Sequence, residues 1–207
     1  NNDNATLDLQ NGLDGSANVV KSWIDGEDPY GLRPETVTVQ LQARYRVQGS
    51  GDEGWSQWMN AYDAWSEFVT DQSELDKQGL TADSTQKVVE GPGWRTNWTH
   101  LPMLARLTNE TEINEIEYRV VEVKIGDQDI SSMINASGEE VYRDGIHPYE
   151  PSQETTGDAN DGYTTSITNT LESTSISATK TWVGDEDDQW DSRPENTGAN
   201  NWEATFF

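Results

Sequence analysis

Lys21-Ser22-Trp23-Ile24-Asp25, a short acidic loop, and Leu32-Arg33-Pro34-Glu35-Thr36-Val37-Thr38-Val39-Gln40-Leu41 form the stretch that decides the fold. Its opening returns as Lys180-Thr181-Trp182, another acidic loop, and Arg193-Pro194; Arg33 stands 12 residues after Lys21, and Arg193 stands 13 after Lys180. The two copies lie too far apart to be turns of a solenoid, so the repeating unit is a whole domain. Each copy follows a strand-like stretch that carries an asparagine, Leu9-Gln10-Asn11-Gly12 in one case and Ile167-Thr168-Asn169-Thr170 in the other. The expected organisation is the end of a preceding repeat or linker over 1–14, a complete domain over 15–171, and the beginning of a following repeat over 172–207.

Working outward from that stretch, Val37, Val39, Leu41 and Ala43 alternate with Thr36, Thr38, Gln40 and Gln42, the period of a half-buried strand that starts after Pro34. Val19, Lys21 and Trp23 share one face of a strand, as do Ile116, Tyr118, Val120 and Glu122, and Tyr163, Thr165, Ile167 and Asn169. Trp98 to Pro102 reads as a strand entering a turn, and Gly49 to Gly54 as an exposed turn cluster. Trp202, Ala204 and Phe206 alternate in the same way at the end of the chain. The fold class is therefore all-β, an antiparallel sandwich with long loops. Two stretches break the pattern. Trp58, Tyr62, Trp65 and Val69 recur at helical steps, which predicts an inserted amphipathic helix near 57–77 with Ser56 as N-cap and Gly79 past its end. Residues 126–162 lack sustained periodicity and read as a long surface excursion.

The 207 residues carry 13 Lys and Arg against 38 Asp and Glu, a formal net charge of −25. Such a surface repels phosphate backbones and anionic headgroups, which excludes nucleic acid as an expected partner. No apolar run reaches membrane-spanning length, so no membrane insertion is expected in this segment. Neither an export leader nor a C-terminal anchoring signal is expected within it. The chain has no cysteine, so an extracellular domain must find a different covalent staple or do without one. Nine tryptophans and seven tyrosines argue for a packed protein rather than disorder.

Three strands place a polar group on the face that their neighbours mark as buried: Lys21 beside Val19, Glu122 after Val120, and Asn169 after Ile167. A buried lysine tends to lose its proton and a buried carboxyl to gain one, so a pair sharing an apolar site is driven towards a neutral amine and a neutral acid. With the Asn169 carboxamide in reach, the amine can attack while Glu122 shuttles protons, and the product is an amide bond between two side chains with loss of ammonia. Of the five lysines, Lys21 and Lys180 occupy the same place in the two copies.

Together with Trp94-Arg95-Thr96-Asn97-Trp98-Thr99-His100-Leu101-Pro102, Ile116-Glu117-Tyr118-Arg119-Val120-Val121-Glu122 and Ile167-Thr168-Asn169-Thr170, these strings resemble the Cna protein B-type (CnaB) domain of Gram-positive surface adhesins and pilins. The resemblance spans most of residues 17–171. It implies an immunoglobulin-like, prealbumin-like β-sandwich with an internal isopeptide bond, in which Lys21 is the amine, Glu122 the acid and Asn169 the amide. Lys180 is then the cross-link lysine of the following repeat, and Asn11 the cross-link asparagine of the preceding one. The family pattern has no place for inserts near 44–93 and 126–162.

The first of those inserts carries Trp55, Trp58, Tyr62 and Trp65, which either bind a host glycan or matrix protein or dock the insert on the sandwich. The acidic groups Asp25, Glu27 and Asp28, Asp185 to Asp188, and Asp158, Asn160 and Asp161 fit no EF-hand loop. His100 and His147 stand far apart, and no metal or other cofactor is expected. No nucleophile elbow, zinc spacing or phosphate loop is present, so a turnover enzyme is not expected. The resulting expectation is a structural stalk or pilus-like repeat on a bacterial cell surface, stabilised by its own cross-link and flanked by neighbouring repeats. An adhesive module and a homopolymeric filament subunit, completed by strands of another copy, are the alternatives.

Overall fold

The computed structural model describes residues 15–69, 71–106, 111–130 and 148–171, with the backbone of 177–178 and 202–203. The chain divides between Leu171 and Glu172 into two compact units. Among the described residues of the first, ten strands and two short α-helices follow one another: β1 Gly15–Ile24, β2 Thr36–Val47, β3 Met59–Asn60, α1 Ala61–Ser66, α2 Ser73–Asp76, β4 Gln86–Glu90, β5 Arg95–Leu101, β6 Leu104–Ala105, β7 Asn114–Ile125, β8 Gln128–Asp129, β9 Tyr149–Asp158 and β10 Gly162–Leu171. In the second, β11 Ser177–Ala178 pairs antiparallel with β12 Trp202–Glu203.

Two sheets face each other. One has the order β5-β1-β10-β9; the other runs β3-β2-β7-β6, with β4 also on β2 and β8 on β7. Pairing is antiparallel except between β1 and β10, which lie parallel with Lys21 opposite Ile167 and Trp23 opposite Asn169. A first strand and a last strand side by side are what later bring Lys21 and Asn169 onto one face. The alternation seen in the sequence is the burial pattern: Val37, Val39, Leu41 and Ala43 from β2, Ile116, Tyr118 and Val120 from β7, Ala17 and Val19 from β1, and Tyr163 and Ile167 from β10 fill the core between the sheets.

The helical spacing over 57–77 resolves differently from the expectation. Only 61–66 and 73–76 are helical, and Trp58 lies before β3. Asp71 interrupts the run: its carboxylate accepts the Ser73 N–H and starts the second helix afresh, the local competition by which short polar side chains break helices. Ser56 caps no helix; its hydroxyl accepts the Tyr45 N–H instead. Gly79 does follow α2, with φ at 75°. Ala61, Ala64, Trp65, Phe68 and Leu75 join the main core, with Trp65 Nε1 donating to Tyr118 Oη at 3.0 Å.

Both stretches read as inserts contain strands. Residues 86–90 form β4, paired along β2 from Thr36 to Gln40. Residues 149–158, expected as part of an excursion, form the edge strand β9, in register with β10 from Tyr149 opposite Leu171 to Asp158 opposite Gly162. Only Tyr149 of β9 is buried, so an edge strand with little of either face covered carries no apolar alternation to reveal it. Residues 131–147 lie outside the described residues.

On the outer face of β2 and β7 the tryptophans of the insert meet a row of arginines. The order is Arg119, Trp58, Arg44, Trp55, Arg46, with each guanidinium carbon 4.3–4.7 Å from the centre of the neighbouring indole. Arg44 also pairs with Glu117 at 2.7 Å and Arg46 with Glu115 at 2.9 Å. Cation–π contacts at partly exposed sites and such ion pairs are each modest, but Arg44 is the rung shared by both rings. Arg44→Ala is expected to cost about 1–2 kcal/mol in urea unfolding, with a shift of tryptophan emission in the native baseline.

Candidate functional site

Asn169 and Lys21 come from neighbouring strands of one sheet, and Glu122 reaches them from the other. A bulge on β7 sets its direction: Thr38 faces Lys124 and Val39 faces Glu122, so Val123 has no partner on β2. Glu122 thereby keeps the inward parity of Tyr118 and Val120. Lys21 and Glu122 are each 3% exposed and Asn169 is 0% exposed. Lys21 Nζ stands 3.7 Å from Glu122 Oε1, and Asn169 Nδ2 donates to Glu122 Oε2 at 3.1 Å. The carboxyl group thus bridges amine and carboxamide.

Asn169 Oδ1 is enclosed and has no hydrogen-bond partner among the described residues. An unsatisfied buried carbonyl costs stability, and this one lies in the same enclosure as an amine and an acid. The two ends of the amide have nearly the same shape, so a half-turn about its last torsion presents Oδ1 to Glu122.

One wall of the site is aromatic. Lys21 Nζ lies 4.1 Å from the Trp23 ring centre. The Trp23 ring meets Trp94 at 5.4 Å and Tyr149 at 4.8 Å, both edge to face. Just before β5 begins, the Trp94 carbonyl accepts the Lys21 N–H at 2.7 Å. In the sequence Trp23 stood out only as part of the repeated motif, none of Trp23, Trp94 and Tyr149 was placed in the site, and Tyr149 lay hidden in the stretch expected as a loop.

Above this wall the acidic loop closes on itself. Asp25 accepts two hydrogen bonds from the Arg33 guanidinium and one from the Tyr149 hydroxyl, and Asp28 accepts the Leu32 and Arg33 N–H groups. Gly26, Glu27, Asp28 and Gly31 all have positive φ there, so the turn is held in conformations that its bonds enforce. Asp25 and Asp28 are thus turn-forming acceptors, as is Asp158, which accepts the Asn160 and Asp161 N–H groups; Asp185 to Asp188 lie outside the described residues. Among the described residues no cluster of three or more His, Asp or Glu is placed to hold a metal.

The hydrogen bond from Arg33 holds the Asp25 carboxyl below its ordinary value, against the opposing effect of burial. Burial and the Asp25 charge push the Tyr149 phenol up to about 12, so it remains a donor. A carboxyl whose folded pKa is depressed contributes stability above its unfolded value, and that contribution disappears as pH falls through the folded one. Asp25→Asn is expected to lower the urea midpoint at pH 7, with the gap to wild type closing as both are titrated below pH of about 4.

Of the aromatic candidates, Trp65 is buried in the core and Tyr62 is packed against it, while Trp55 and Trp58 are the rings of the arginine ladder. Trp55, Trp58 and Tyr62 are partly exposed. Lys180 and Asn11 lie outside the described residues.

Residues 17–83 match the profile of the Cna protein B-type domain. The likeness to that family covers 67 of the 207 residues. The matched span holds Lys21, Trp23, Asp25 and Arg33, and Glu122 and Asn169 lie beyond it. Among solved structures, the chain is similar to a single B repeat unit (B1) of the collagen-binding surface protein Cna of Staphylococcus aureus, at 16% identity over 76% of this chain and 51% of that one, with a TM-score of 0.33. It is also similar to two B repeat units (B1B2) of the same protein, at 20% identity over 88% of this chain and 32% of that one, with a TM-score of 0.37. The chain therefore spans about half the length of the first and a third of the second. No curated protein matches it. No helix among the described residues is long and apolar enough to cross a membrane.

Proposed function

We propose that residues 15–171 form one complete structural repeat of a bacterial cell-surface stalk or pilus-like protein, and that the repeat locks itself by an amide bond between Lys21 and Asn169. The flanking 1–14 and 172–207 belong, on this reading, to neighbouring repeats with Asn11 and Lys180 in the corresponding roles. The observation that carries it is the enclosure of amine, carboxyl and carboxamide at 3.7 and 3.1 Å inside the sandwich.

In the reaction, a proton passes from the Lys21 ammonium to the Glu122 carboxylate, because a dry enclosure favours two neutral groups over an ion pair with poor compensation. The Glu122 proton then bonds the amide oxygen and draws electron density from Cγ of Asn169. Nζ attacks that carbon. Glu122 takes a proton from the attacking nitrogen and delivers one to Nδ2, the Cγ–Nδ2 bond breaks, and ammonia leaves as the new Nζ–Cγ bond remains. The fold supplies proximity and excludes the water that would otherwise hydrolyse the amide.

The function is mechanical. The bond ties the first strand to the last and stands in for the disulfide that a cysteine-free chain cannot make. Intact mass tests it, with wild type short by one ammonia; a full-length mass would end this reading. The adhesive alternative would use Trp55 and Trp58, which are partly exposed on the outer face of the sheet.

A further inference from the structure

We propose that Trp23 is a positioning residue for the Lys21 amine, and that the Asp25–Arg33 clasp and Tyr149 act through it. This rests on the cross-linking reading above. When Nζ adds to the amide carbon, nitrogen gains positive charge while oxygen gains negative charge. Glu122 answers the second with its proton. The Trp23 ring, whose negative face lies 4.1 Å from Nζ, answers the first, together with the Ser22 carbonyl, which accepts from Nζ at 3.3 Å. An interaction that strengthens as charge develops accelerates the step rather than merely holding the reactant.

The ring cannot do this unless it is held. Trp94 and Tyr149 each meet Trp23 edge to face. Tyr149 is tied by its hydroxyl to Asp25 at 3.3 Å, and Asp25 is fixed by Arg33, whose guanidinium carbon lies 5.8 Å from the same indole. The chain of contacts runs unbroken from the acidic loop to the amine. This gives one physical reason for the whole motif: the lysine is the nucleophile, the tryptophan its charge-stabilising wall, and the aspartate and arginine the clasp that fixes the wall. The second copy of the motif repeats all four residue types as Lys180, Trp182, Asp185 and Arg193.

The test follows the loss of ammonia over time by intact mass in freshly purified protein from short expressions, for wild type, Trp23→Phe, Trp23→Leu and Tyr149→Phe. Leucine fills the wall without a π face, whereas phenylalanine keeps a weaker one. The expected order of cross-linking rates is wild type, then Phe, then Leu, with the Leu variant at least about tenfold slower than Phe at a similar resistance to proteolysis. Tyr149→Phe, which removes only the hydroxyl, is expected to slow the reaction about three- to tenfold and covers the case in which the leucine variant does not fold. Equal rates for Phe and Leu, or for Tyr149→Phe and wild type, overturn the positioning role while leaving the cross-link intact. A wild type that never loses ammonia overturns the cross-linking reading itself.

Discussion

Wild-type protein is expected to weigh one ammonia less than its sequence, while Lys21→Ala, Asn169→Ala and Glu122→Gln each retain the full mass. The first two remove a reacting group. The third keeps the shape and a hydrogen-bonding amide at position 122 but removes the group that carries the proton. Stability should follow the mass. Closing a loop of roughly 150 residues reduces the entropy of the unfolded chain by an amount equivalent to about 5 kcal/mol, if native geometry is unstrained. For a domain of this size that corresponds to a fall in Tm of roughly 10–20 °C when the bond is absent. The two alanine variants should fall further than Glu122→Gln, because Lys21→Ala leaves a buried carboxyl without its cation and Asn169→Ala removes its donor. A wild type and Glu122→Gln with the same mass and the same Tm would remove the cross-link from this domain.

Pulled by its ends, the wild-type domain is expected to give no unfolding step for the chain between Lys21 and Asn169. Force entering at β1 reaches Lys21 within a few residues and passes through the new bond to Asn169 near the end of β10, so the two sheets between them carry no load. In Lys21→Ala the same pull must strip β1 from β10 along their parallel ladder. That variant should then lengthen by roughly 500 Å, the extended reach of roughly 150 residues. Single-molecule extension reads this difference directly. An extension of that size in wild type would show that the load path runs through the sheet and not through a covalent tie.

The site was legible in part. Parity along three strands picked out Lys21, Glu122 and Asn169, because a strand alternates faces and each residue follows apolar neighbours of its own parity. Parity holds only where the register is regular. On β7 it survived because the bulge falls at Val123, one residue beyond Glu122. The wall of the site was not legible. Trp94 sits in a turn with no periodicity, and Tyr149 opens an edge strand whose other residues are exposed or half-exposed.

The helical insert shows the opposite failure. Steps of three and four were present in the sequence, yet they mixed two different jobs: Trp65 is buried against Tyr118, and Trp58 lies across Arg44 and Arg119 on the outside of the sheet. Periodicity reports that side chains share a face only if the backbone is continuous, and Asp71 breaks it.

By itself, the sequence determined that this chain is a β-sandwich, which residues face its interior, and that a lysine, an acid and an asparagine lie among them. These follow from the two-residue period of a strand, a local property. Only the tertiary structure decided that the first and last strands lie side by side in parallel, that the acid crosses from the opposite sheet to bridge amine and amide, and that the tryptophans of the insert are taken up by arginines. Those are pairings between residues far apart in the chain, and no local pattern records which strand will be a neighbour.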